Sequence, residues 1–112
     1  MELREYLEQV DAAYETLSGG VLEERLLFLV DDCRQTYGQE SAPYASLLGE
    51  LGAYCRGQGR YEESETYFRQ ALELLERTAG KESVAYATAL GNLASVHRFT
   101  GQCADAEREY AA

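Results

Sequence analysis

Apolar residues recur along the chain at intervals of three and four, in runs separated by glycine and serine. Leu3, Tyr6, Leu7, Val10, Ala13, Tyr14 and Leu17 form a first stripe, and Leu22, Leu26, Leu29, Val30 and Cys33 a second. Leu47, Leu48, Leu51, Tyr54 and Cys55 form a third. Beyond Gly57-Gln58-Gly59 come Tyr61, Ser64, Phe68, Ala71, Leu72 and Leu75, with Glu62, Glu63, Glu65, Arg69, Glu73 and Glu76 turned the other way. Val84, Ala87, Leu90, Leu93, Ala94 and His97 give a fifth stripe, and the residues up to Ala112 cover only part of a sixth segment. Such spacing gathers apolar side chains on one face of a helix. No segment alternates as a strand does, so the pattern predicts an all-α chain of short amphipathic helices in antiparallel pairs.

The stripes repeat. Displaced by 42 residues, Gly38–Gln70 falls on Gly80–Ala112 with 11 identities in 33 pairs, spread over the whole window. Val21–Gly38 falls on Glu63–Gly80 in the same register, with Glu23/Glu65, Thr36/Thr78 and Gly38/Gly80 identical. This gives a single domain over residues 1–112, with a divergent first repeat at about 2–38, a second at about 42–80 and an incomplete third at about 84–112. Fixed-period self-similarity is the mark of stacked repeat units.

Local punctuation agrees with that division. Ser41 and Ser83 are placed to cap helices, and Pro43 falls in a first turn, where its missing N–H costs little. Gly38 and Gly80 follow the longer helices, where a positive-φ residue is wanted, and Ser18-Gly19-Gly20 closes the first helix. Gly49, Gly52 and Gly91 instead fall inside helices, each at a cost of about 1 kcal/mol relative to alanine. Close approach of a neighbouring helix is the expected reason.

Charge narrows the function classes. Twenty acidic against ten basic residues leave a net charge of −10, with Lys81 the single lysine. Nucleic acid is excluded as a partner, because phosphate binding needs clustered cations, and anionic membrane surfaces are disfavoured for the same reason. No stretch approaches the roughly 20 apolar residues of a spanning helix, and the N-terminus lacks the pattern of a signal peptide. Cys33, Cys55 and Cys103 are odd in number and widely spaced, which fits a reducing cytoplasm better than a disulfide framework.

The stretch from Leu51 to Glu76 resembles a tetratricopeptide repeat, and the 42-residue period is similar to the longer repeats of kinesin light chains. Gly52 and Ala94 match the family's small residue after leucine, and Gly59 and Gly101 its turn glycine. Ser64 and Ala106, Phe68 and Tyr110, and Ala71 match positions of its second helix, and Leu90-Gly-Asn-Leu-Ala is close to its Leu-x-Asn-Leu-Ala. Cys55 and His97 stand where tyrosine is usual, and Leu17 replaces the first turn glycine. The resemblance spans residues 38–112 and is weak before them. It implies about two and a half repeats in a right-handed superhelix. The first helix of each pair would line a concave groove that holds a peptide or a partner's helix.

On those first helices, +3/+4 spacing puts Arg4, Leu7, Asp11 and Tyr14 on the groove side in repeat one. Repeat two contributes Ser46, Gly49, Ala53 and Arg56, and repeat three Thr88, Gly91, Ser95 and Arg98. Asn92 borders this face, where the resemblance implies a hydrogen bond to a bound backbone. The candidate binding residues are therefore Arg56, Arg98, Asn92, Ser95, Gly49, Ala53, Tyr14 and Asp11. Arg56 and Arg98 recur at one repeat position, so a guanidinium pair could clamp an acidic or C-terminal carboxylate of a partner. The competing expectation is that each arginine pairs with nearby glutamates.

Catalytic chemistry has little support. His97 aligns with Cys55 one repeat earlier, yet both fall on a buried stripe, and a thiol–imidazole pair would need contact and a lowered thiol pKa. One histidine and three scattered cysteines fit no metal-ligand spacing, and no cofactor motif is present. Glu62, Glu63 and Glu65 read as a solvated helix face. The expectation is a non-enzymatic interaction module. The rival is self-association or a piece of a longer array, since Leu90, Leu93 and Val96 would lack a covering helix.

Overall fold

The computed structural model of the chain describes residues 1–99, and five helices are found among them. They are α1 (Leu3–Thr16), α2 (Gly19–Tyr37), α3 (Ala42–Gly57), α4 (Tyr61–Thr78) and α5 (Val84–Phe99). Gly101, Cys103, Ala106 and Tyr110 lie outside the described residues. Each helix packs on its neighbour in sequence, α1 and α5 also touch α3, and the α3–α4 hairpin is the most intimate pair. No described helix is long and apolar enough to cross a membrane.

Helix boundaries follow local chemistry, and they recur at the repeat interval. The Ser41 hydroxyl accepts from the Tyr44 N–H at 3.3 Å and donates to the Gly38 carbonyl at 2.8 Å. Ser83 does the same with Tyr86 at 3.1 Å and with Gly80 at 2.8 Å. Gly38 and Gly80 hold φ of 89° and 88°, a conformation that a side chain would oppose. In the first hairpin, Leu17 is extended, and the positive φ passes to Gly19 at 60°.

Most of the apolar stripes are buried as expected. Tyr6, Val10 and Ala13 of α1 meet Leu22, Leu26, Leu29, Val30 and Cys33 of α2, and all five residues of the α3 stripe join the same core. The Tyr6 hydroxyl, at the bottom of the α1–α2 seam, donates to Asp32 Oδ2 at 2.6 Å, which satisfies a polar group that would be costly to bury alone. Leu74, which the stripe omits, is buried between Ala71 and Leu75, whereas Leu72 is only half-buried.

Three expectations about burial need correcting. Val84 is 83% exposed and Ala87 is also exposed: α5 packs only on α3 and α4 among the described helices, and its first turn meets them through Ala85 and Tyr86 instead. Leu93 and Val96 are buried rather than uncovered, since they pack back onto Phe68 of the preceding α4. Tyr14 leaves its stripe and is 44% exposed.

Candidate functional site

The two faces of α3 differ in what they leave room for. Toward α4, a Cβ built on Gly52 would stand 2.9 Å from two atoms of the Phe68 ring, so only glycine permits this approach. Ser64 Oγ, fully buried, donates to the Gly52 carbonyl at 2.7 Å and ties the same turn to α4. Three residues earlier on α3, a Cβ on Gly49 would have nothing within 4 Å. Close packing therefore explains Gly52 and does not explain Gly49.

Gly49 opens onto a cleft of about 390 Å³ formed by the first helices of the successive pairs. Leu7 of α1 borders it, Ser46, Gly49, Glu50 and Ala53 of α3 form its floor, and Ala85, Thr88, Ala89 and Asn92 of α5 form its far wall. Ala71 and Leu75 of α4 close the base. Small side chains at Gly49, Ala53, Ala85 and Ala89 are what keep it open.

The sequence-derived residues divide into three groups, with Arg98 apart from them. Gly49, Ala53 and Asn92 line this cleft together. Asp11 is exposed on α1 outside the described lining, and its charge adds to burial in raising the Glu50 carboxyl above its ordinary value. Tyr14 sits in the same field: burial first, and then the Glu50 charge, push its hydroxyl up. Arg56 and Ser95 instead satisfy each other, with Arg56 Nη1 donating to Ser95 Oγ at 2.7 Å and its guanidinium 5.7 Å above the Phe68 ring. Neither a clamp with Arg98 nor a glutamate pair describes that arrangement. Arg98 is exposed near the end of α5.

Cys55 and His97 are drawn into different surroundings. Cys55 belongs to the main core, and burial pushes its thiol up, away from the reactive thiolate. His97 packs against α4, with Nε2 3.0 Å from Glu65 Oε1 and 3.3 Å from Arg69. Hydrogen bonding with His97 is the largest influence on Glu65 and holds its carboxyl below the ordinary range. Glu65 is thus a half-buried anchor between α4 and α5 rather than a solvated surface charge. Among the described residues no group of three or more His, Cys, Asp or Glu side chains converges as metal ligands would.

Sequence reasoning missed Glu50, the one charged residue among the described residues of the cleft lining. Its place between Ser46 and Ala53 puts it on the same helical face, and that spacing was the available signal.

Comparison with curated proteins gives no match. The profile of a family described as tetratricopeptide repeat matches residues 43–111, more than half of the chain. With paired helices that repeat their caps and turns at the sequence period, the chain belongs to the tetratricopeptide repeat family.

Proposed function

We propose that the chain is a protein-interaction module that receives an extended peptide or a partner helix in the cleft between α1, α3 and α5. Members of this family are non-catalytic repeat scaffolds that mediate contacts between proteins. The observation that carries the groove reading is the open space over Gly49. A helix-interior glycine with no neighbour to accommodate costs about 1 kcal/mol and gives no packing in return, and such sacrifices concentrate at functional surfaces. The carboxylate-clamping role expected of Arg56 and Arg98 would require Arg56 to leave Ser95 and Phe68, so recognition is assigned to the cleft floor instead.

Gly49→Leu tests this reading, because leucine favours the helix and its Cβ would meet nothing within 4 Å on the cleft side. Partners captured from native lysate by the wild-type chain should be lost from the variant, while its circular dichroism and melting temperature hold or improve. Equal capture by both proteins would remove the groove from consideration.

The outer side of α2 supports a second reading, contact between two copies of the chain. Val21 and Phe28 are 60% and 61% exposed there, around a depression that Leu17, Glu24 and Arg25 also line. Neighbouring charges of opposite sign let a two-fold contact pair each Glu24 with the other copy's Arg25. Light scattering at rising concentration tests it: association that Phe28→Ser abolishes is expected, and a wild-type monomer throughout would dismiss it.

A further inference from the structure

The cleft holds a carboxylate for which the described residues provide no counter-charge. Glu50 is half-buried in its floor and has no hydrogen bond or ion pair among the described residues. The Asp11 charge on α1 adds to burial in disfavouring its ionised form. Among the described residues the lining contains no lysine or arginine, and the arginine one helical turn beyond Ala53, Arg56, is directed to Ser95 and the Phe68 ring. The Glu50 charge also reaches Tyr14, an exposed aromatic ring on α1. A carboxylate set among glycine and alanine, with a second negative charge acting on it, suits a cation on an aliphatic stem.

We propose that the cleft selects a partner segment presenting a lysine or arginine side chain, its charged head at Glu50 and its stem along Gly49 and Ala53. This inference rests on the groove reading above. A partly desolvated carboxylate without a counter-charge is disfavoured, and an incoming cation relieves that penalty. An acidic segment would instead set like charges together in a chain whose net charge is already −10, and complementary potential decides which partners are admitted.

The test uses the whole chain and a random-sequence peptide display library as the probe. Retained peptides should be enriched in lysine or arginine at one position. One selected peptide is then titrated against wild type, Gly49→Leu and Glu50→Gln, together with versions in which the basic residue is alanine or acetyl-lysine. Gly49→Leu should abolish binding, and Glu50→Gln should weaken the basic peptide about fivefold, the upper end for a partly solvated pair. The same substitution should barely change the alanine version, so the two changes are coupled. If Gly49→Leu abolishes binding but retained peptides are acidic, or Glu50→Gln has no effect on the basic one, the charge inference is wrong and the groove reading survives. Binding that persists in Gly49→Leu, or a library from which nothing is retained, overturns both.

Discussion

Gly49 and Gly52 lie one helical turn apart on α3, and each carries the same intrinsic cost to the helix. Gly52 faces α4, where even a methyl group would intrude on the Phe68 ring at 2.9 Å. Gly49 faces the cleft, where a methyl group would meet nothing within 4 Å. One glycine is required by packing and the other is not, so the two faces of one helix answer to different demands. The α4 side is a seam of buried contacts among Gly52, Ser64, Phe68, Leu93 and Val96. The α1/α5 side keeps its lining small, and leaves Glu50 half-buried without a partner among the described residues.

The largest test of this contrast is Phe68→Ala. The ring is fully buried, packs against Leu93 and Val96, and lies beneath the Arg56 guanidinium, so truncation should cost about 3–5 kcal/mol by denaturant unfolding. A loss under about 1 kcal/mol would mean that the seam is not close-packed. The glycine pair sharpens the comparison. Gly52→Ala gains about 1 kcal/mol of helix propensity but forces overpacking worth roughly 1–3 kcal/mol, for a net loss of about 1 kcal/mol. Gly49→Ala collects the propensity gain alone and should stabilise by about 0.5–1 kcal/mol. Equal and same-signed effects at the two sites would erase the distinction.

Much of this architecture was legible from apolar spacing, since burying a stripe is what makes a short helix stable. The α3 stripe of Leu47, Leu48, Leu51, Tyr54 and Cys55 is buried throughout, and the caps at Ser41 and Ser83 form because a hydroxyl at that position reaches the orphaned N–H groups locally. What periodicity lacks is knowledge of the neighbour. It marks a face on α5 but cannot say that nothing described covers Val84, nor that Leu93 finds Phe68 behind it. Gly49 and Gly52 look alike in sequence for the same reason, because the Phe68 ring that separates them comes from another helix. In sequence Arg56 reads as a ligand contact, yet its Nη1 donates to Ser95 on a helix far along the chain. Glu50 was hidden as one acid among twenty until the cleft around it was visible.

Ser95→Ala probes the border between the two regions. It removes the acceptor of Arg56 Nη1 and, with it, a link from α3 to α5. Arg56 is half-buried and keeps its position over Phe68, so the expected loss is about 0.5–1 kcal/mol. Peptide binding in the cleft should be unaffected, which separates Ser95 from the cleft lining. If Ser95→Ala instead left stability unchanged and altered peptide affinity, the arginine–serine pair would belong to the groove.

The smallest expected effect concerns Glu50 alone. Burial first, and the Asp11 charge second, raise its carboxyl above the ordinary value of 4.5 in the folded chain. A raised folded pKa means that the native state holds this proton more tightly than the unfolded chain does. The associated stability is complete below 4.5 and is lost as the pH rises through the folded value. At neutral pH the carboxylate is ionised in both states and opposes folding. Glu50→Gln removes that opposition, so the variant should melt slightly higher than wild type at pH 7, by less than Gly49→Ala does. The difference should shrink with acidification and vanish below about pH 4, where the wild-type carboxyl is protonated in both states. Asp11→Asn should reproduce only the lesser part of the gain, because burial rather than Asp11 is the larger cause. A Glu50→Gln advantage that is the same at every pH would trace to packing or helix propensity, and the cleft would then hold no strained carboxylate for a cation to relieve.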